Sequence, residues 1–299
     1  MVVERSGRRP AGMRRVAVLA VVALVGVLAG GGVAWAWWQG EATATAPTSA
    51  LRAGAVDVQV VGLGNELVGR GGSVTATALG LTGAVPGSGD SEIVTVRNGG
   101  SRPTTVTATP TRTGTLGTSF TTSASFGAAD TGTGCGTGNG TSTTIPAGGT
   151  AALCVTVALS ASAPSSVQGQ AGGVSVALAA SLGGTAWTDT GTVVSGAVSA
   201  ATVPAPTLSC GALGLVSVTF NWTAVANATR YQFTFGPAAT PTTAQVPAGT
   251  TAYQVTGVAT NATARVRAER VFTGNVVWTS VSSNTRTYNI ALGLIGTCA

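Results

Sequence analysis

The chain has 299 residues, 44 of them glycine, only 8 % of them charged, and none of them histidine. All fifteen basic residues are arginine, set against nine carboxylates. That inventory excludes imidazole acid/base chemistry, His-ligated metals and lysine nucleophiles, and no catalytic residue, cofactor or metal is expected.

The net charge of +6 is uneven along the chain. Arg5, Arg8, Arg9, Arg14 and Arg15 against Glu4 place +4 of it in the first fifteen residues. Beyond them, ten arginines face eight carboxylates, a balance of +2 with no basic cluster, so no nucleic-acid partner is expected. Gly, Ala, Thr, Val and Ser dominate the remainder and suit pleated strands and tight turns, which argues for an all-β protein.

The five arginines precede 23 uncharged residues, 16–38, the layout of a secretory leader. Ala34-Trp35-Ala36 offers small residues to a signal peptidase, so cleavage is expected between Ala36 and Trp37, making 1–36 a signal peptide. The competing reading is an uncleaved anchor, since such a stretch is long enough to cross a bilayer. Either way the rest of the chain is expected outside the cell, touching membrane only through an uncleaved leader.

Residues 37–202 form the first expected domain. Period-two patterns run through Val56, Val58 and Val60, then Val74, Ala76 and Ala78, then Val94 and Val96, then Val106 and Ala108. Further strand-like runs span 151–159, 174–182 and 187–198, separated by turn clusters such as Pro86-Gly87-Ser88-Gly89-Asp90 and Asn98-Gly99-Gly100-Ser101. Short strands at this spacing predict an antiparallel β-sandwich.

Three separated segments here carry a resemblance. They are the leader from Gly30 through Trp38-Gln39-Gly40, the strand Arg52-Ala53-Gly54-Ala55-Val56-Asp57-Val58, and Leu81 to Gly89 followed by Ile93 to Arg102. Together they resemble the TasA/camelysin group of exported bacterial proteins, over about residues 16–110. The resemblance implies processing by a dedicated signal peptidase and a secreted matrix or surface role, several members forming fibres. The chain departs from the group in reading Pro-Gly-Ser-Gly-Asp for Pro-Gly-Asp, and in a Thr/Gly-rich, cysteine-bearing segment at 111–154. Some members have been described as metalloproteases, but this chain has no HExxH, and only scattered carboxylates remain as a base for a serine. The Ala/Thr strip within 37–50 reads either as a strand donated to the sheet edge of a neighbouring copy or as a tail of its own domain.

After Pro204-Ala205-Pro206, a stiff extended hinge, residues 203–299 form the second expected domain. Val216 to Trp222 alternates cleanly, Arg230 to Phe235 follows a turn, and later runs span 252–256, 262–272, 276–282 and 286–292. This resembles a fibronectin type III domain, with Trp222 at the B-strand tryptophan, Tyr231 at the C-strand tyrosine, and Val266 and Ala268 in the F-strand core. The F-strand tyrosine of that family is Ala262 here. Trp222, Tyr231 and Trp278 are expected as core residues rather than as a sugar-stacking platform.

Four cysteines without CxxC spacing fit disulfides in an oxidising compartment. One bridge per domain, Cys135 to Cys154 and Cys210 to Cys298, is the simplest of the three formal pairings. The glycine-rich run 134–140 lacks the lysine and helix of a phosphate loop and reads as a flexible tethered loop. The expected function is a non-catalytic, secreted structural protein of a bacterial surface or extracellular matrix, self-associating or contacting wall and matrix components. A monomeric adhesin or carbohydrate-binding protein is the alternative.

Overall fold

In the computed structural model, residues 44–46, 49–51, 55–61, 71–183 and 187–299 are described. The leader, with Ala34, Ala36 and Trp37, lies outside them. The chain divides into two compact units, Met1–Ala55 and Val56–Ala299. In the first unit β1 (Ala44–Ala46) pairs antiparallel with β2 (Ser49–Leu51).

The second unit is all-β, with no α-helix among its described residues. Its N-terminal part contains β3 (Val58–Val61), β4 (Ser73–Ala76), β5 (Leu81–Ala84), β6 (Gly89–Asn98), β7 (Thr104–Gly114) and β8 (Phe120–Phe126). These are followed by β9 (Ser142–Ile145), β10 (Thr150–Leu159), β11 (Ala171–Ser181), β12 (Thr188–Ser195) and β13 (Val198–Ala200). One sheet has the order β3-β6-β10-β8, all antiparallel. The other centres on β11, flanked by β7 and β12, with β9 beyond β7. Two of its pairings, β4 with β12 and β5 with β13, are parallel, which departs from a purely antiparallel sandwich. The reason is that the start and end of this sandwich lie side by side in the same direction, the intervening strands supplying the long connection that a parallel pair needs.

Alternating aliphatic side chains fill the space between these sheets, including Val58, Val60, Val94, Val96, Val106, Val155, Val157, Val174 and Val176. The alternation in β4 stops at Ala76. Ala78 is exposed, against expectation, and Leu79 turns inward instead. Carboxylates hold that turn: Leu79 N–H donates to Glu92 at 2.7 Å and Gly80 N–H to Asp90 at 2.8 Å. Where β7 meets β11, Gly114 lies opposite Gly172. A Cβ on Gly172 would sit 2.0 Å from the Thr113 carbonyl oxygen, so the strands approach too closely for any side chain there.

The C-terminal part contains β14 (Leu208–Leu213), β15 (Ser217–Trp222), β16 (Arg230–Gly236), β17 (Thr242–Pro247) and β18 (Ala252–Thr256). It ends with β19 (Ala259–Val271), β20 (Val277–Thr279), β21 (Arg286–Ile290) and β22 (Thr297–Cys298). A sheet β14-β15-β18 packs on a sheet β17-β16-β19-β21-β22, and β20 also pairs with β19. This is the A-B-E on C′-C-F-G arrangement of a fibronectin type III-like sandwich. Phe220, Trp222, Tyr231 and Phe233 face inward and pack at centroid distances of 5.5 to 5.6 Å, Trp222 stacked on Phe233 and edge-on to Tyr231. Ala262 lies opposite Tyr288 in the register, and Tyr288 is buried, so the G strand supplies the aromatic body that the F strand lacks. Burial pushes the Tyr288 phenol upward, although a hydrogen bond with the Gly236 backbone pulls it back. Asn227 and Asn261 occupy left-handed turn positions, at φ 60° and 47°, which asparagine tolerates better than other non-glycine residues.

Candidate functional site

The disulfides sit differently in the two sandwiches. Cys135 and Cys154 are bonded, with Cα atoms 5.8 Å apart. Cys154 lies on β10, whose residues 153–157 are buried without alternation. Leu153, Val155 and Val157 enter the core, whereas Cys154 and Thr156 face outward under the loop that carries Cys135. That loop is pinned rather than free: Ser91 Oγ donates to Asp130 and to the Gly134 carbonyl, and Thr156 Oγ1 donates to Cys135 Sγ. Gly132 N–H also donates to Asp130, and together these bonds hold its carboxyl below the ordinary range.

Cys210 and Cys298 are also bonded, with Cα atoms 5.9 Å apart. Cys298 is reached by a route the pattern did not foretell. The chain turns back after β21, and β22 pairs antiparallel with it, placing Cys298 opposite Tyr288.

The scattered carboxylates are engaged in bracing the strands. Asp189 accepts from Val58 N–H at 2.8 Å, and Glu269, only 6 % exposed, pairs with Arg230 across β16 and β19. Glu92, half-buried, lies within electrostatic reach of Asp90 and Asp130. Burial raises its pKa and the two neighbouring charges add to the rise, while the Leu79 N–H opposes it. Among the described residues no set of three or more His, Cys, Asp or Glu converges on a point where a metal would sit. A shallow cleft lined by Pro110, Thr111, Arg112, Phe120 and Thr122 contains a guanidinium already engaged, since Arg112 donates to the Gly117 and Phe120 carbonyls at 2.8 and 2.7 Å.

The densest construction lies between the sandwiches. Trp278, expected in the core of the second domain, instead belongs to the core of the first. The turn 273–275, with Gly274 and Asn275 at positive φ, reverses the chain between Phe272 and β20 and delivers the indole there. Trp278 is fully buried, its Nε1–H donates to the Ala163 carbonyl at 2.9 Å, and Phe272 meets it edge-on at 5.2 Å. Beside it Thr279 N–H donates to Ser165 Oγ at 3.1 Å, and Gln168 Nε2 donates to the Thr279 carbonyl at 3.1 Å. Gln168 Oε1 in turn accepts from Val203 N–H at 2.7 Å, so one side chain ties both the linker and the second sandwich to the first. The Arg270 guanidinium covers Phe272 at 4.8 Å.

The hinge at Pro204-Ala205-Pro206 is therefore bridged by side-chain contacts. Ala163, Ser165 and Gln168 escaped the sequence reading. The available signal was an aromatic pair, Phe272 and Trp278, flanking Gly274-Asn275 at a hairpin tip, where a tip aromatic has no core of its own to enter.

No family model matches the chain, and no curated protein matches it. The chain is similar to an FN3 domain of human collagen XX at 20 % identity, covering 29 % of this chain and 92 % of that one, with a TM-score of 0.23. It is also similar to a segment of two fibronectin type III domains from chicken tenascin at 12 % identity, covering 72 % of this chain and 94 % of that one, with a TM-score of 0.26.

Proposed function

We propose that this protein is exported and serves as a non-catalytic structural component of a bacterial surface or extracellular matrix. The joint centred on Trp278 carries the reading. Independent binding modules on a flexible tether have no need of a fully buried tryptophan from one inserted into the core of the other, whereas a stiff spacer does. Two disulfides support an oxidising, extracellular setting. The absence of histidine and lysine argues against general acid/base and nucleophilic catalysis. The leader and first-sandwich resemblance to the TasA/camelysin group supports matrix or surface placement, assembly into fibres, and contact with wall or matrix components. A sugar-stacking platform of Trp222, Tyr231 and Trp278 is disfavoured because all three are buried.

Electron microscopy of the secreted protein tests this function, with N-terminal sequencing to locate cleavage after Ala36. Filaments or ordered sheets are the expected result. Monodisperse particles that bind glycans, or turnover of any hydrolysable substrate, would overturn it.

A further inference from the structure

The pole of the second sandwich far from the Trp278 joint gathers three loops. Gly257 N–H donates to the Val216 carbonyl at 3.1 Å and Gly296 N–H donates to the Gly214 carbonyl at 2.9 Å. The turn after β14, the turn between β18 and β19, and the hairpin between β21 and β22 therefore stand side by side. Their tips carry Leu215, Val216, Val258, Leu292, Leu294 and Ile295, which are 47 to 78 % exposed. Elsewhere in this sandwich most aliphatic and aromatic strand side chains are packed inward, Leu213 at the end of β14 and the isolated Val281 being the other large exposed aliphatics.

We propose that this pole is a self-association surface, at which two copies of the chain meet end to end about a two-fold axis. At those exposures the six residues present surface on the order of 700 Å² in all, most of it apolar, of the same order as the roughly 800 Å² each partner contributes to a standard interface. Charge decides the occupant. Residues 207–229, 231–264 and 287–299 contain no Asp, Glu, Arg or Lys. A two-fold contact brings each group near its own counterpart, so like charges repel unless the patch has none, and this patch has none. A charged partner finds nothing here to pair with. An interfacial membrane binder uses Lys or Arg against anionic headgroups and aromatic anchors, and these tips carry neither. The surface is also preorganised: the Cys210–Cys298 bond and the β21–β22 pairing hold the hairpin whose tip carries Leu292, Leu294 and Ile295, which limits the entropy lost on docking.

The test uses the full exported protein with both disulfides formed, in sedimentation velocity over a wide concentration series. Wild type is expected to pass from monomer to dimer. Leu294→Glu and Leu294→Arg, each at an exposed position and therefore compatible with folding, are each expected to weaken the dimer about a hundredfold or more by setting like charges together. Mixing the two variants is expected to restore a dimer, an effect that only a contact between copies of this pole produces. A protein that stays monomeric at every concentration refutes the proposal. So does a dimer indifferent to both substitutions, and so does a monomer that floats with phosphatidylcholine vesicles through Leu294, which would assign the pole to a lipid surface. The proposal does not rest on the matrix role: dimers without filaments still support it, and filaments that persist in Leu294→Glu leave the matrix role standing while the dimer is lost.

Discussion

Replacing Trp278 by alanine perturbs one side chain and two sandwiches. The indole is fully buried in the first sandwich while its backbone belongs to the second. Truncating a buried tryptophan costs about 3–5 kcal/mol in lost transfer energy and cavity. The Ala163 carbonyl also loses the N–H it accepts at 2.9 Å, a further cost of about 1–3 kcal/mol if no other donor reaches it. For a folded unit of this size the sum corresponds to a fall in melting temperature of roughly 8–32 °C. The loss falls on the part of the first core that the second sandwich supplies, which is also what couples the two, so calorimetry is expected to show one transition in wild type and two in Trp278→Ala. Small-angle scattering is expected to report a wider spread of interdomain distances. Trp278→Phe, which keeps much of the packing but loses the donor and part of the ring volume, is expected to fall between the two. A Trp278→Ala protein that melts in a single transition within a degree of wild type would refute the reasoning.

Asn98→Asp removes the amide that donates to the carbonyls of Arg102, Ile145 and Pro146 and sets a carboxylate against them, so a loss of about 3 kcal/mol or more is expected in urea denaturation. Removing the Cys210–Cys298 bridge with paired serines is expected to cost more than removing Cys135–Cys154. The loops close over 88 and 19 residues, worth about 4.6 and 3.2 kcal/mol in the chain-entropy model, and equal losses would count against it. Gly172→Ala drives a Cβ into the Thr113 carbonyl and is expected to lower the melting temperature by several degrees, with no change marking an error in the β7–β11 approach. Glu92 has a folded pKa raised above 4.5, so its contribution favours folding below that value and is lost as pH rises through the folded pKa. Asp130 has the opposite sign, its contribution present above 3.8 and lost as pH falls through its lowered value. A melting profile of Glu92→Gln is therefore expected to gain relative to wild type on the high side of that window, and an unchanged difference across pH would contradict it.

Much of the second sandwich was legible because its strands alternate cleanly. Phe220 with Trp222, and Tyr231 with Phe233, each point one way at period two, and a half-buried sheet requires that spacing. The first sandwich was harder. β8 lies in a Thr/Gly-rich segment where only Phe120 and Phe126 signal burial, and β10 is buried on both faces at 153–157 because the Cys135 loop covers its outside. A short apolar run gives no period from which to read which face is which.

The sequence by itself determined the all-β class, the shortage of catalytic groups and the supply of four cysteines, since composition and period-two patterning are local properties. Tertiary structure alone decided that Trp278 leaves its own sandwich for its neighbour and that β4 and β5 run parallel to β12 and β13. It also decided that β22 turns back to bring Cys298 to Cys210, and that three uncharged loop tips share one pole. Each of these joins residues distant in the chain. A side chain's own sequence neighbourhood records that it is apolar, and only the packed fold assigns which surface it covers.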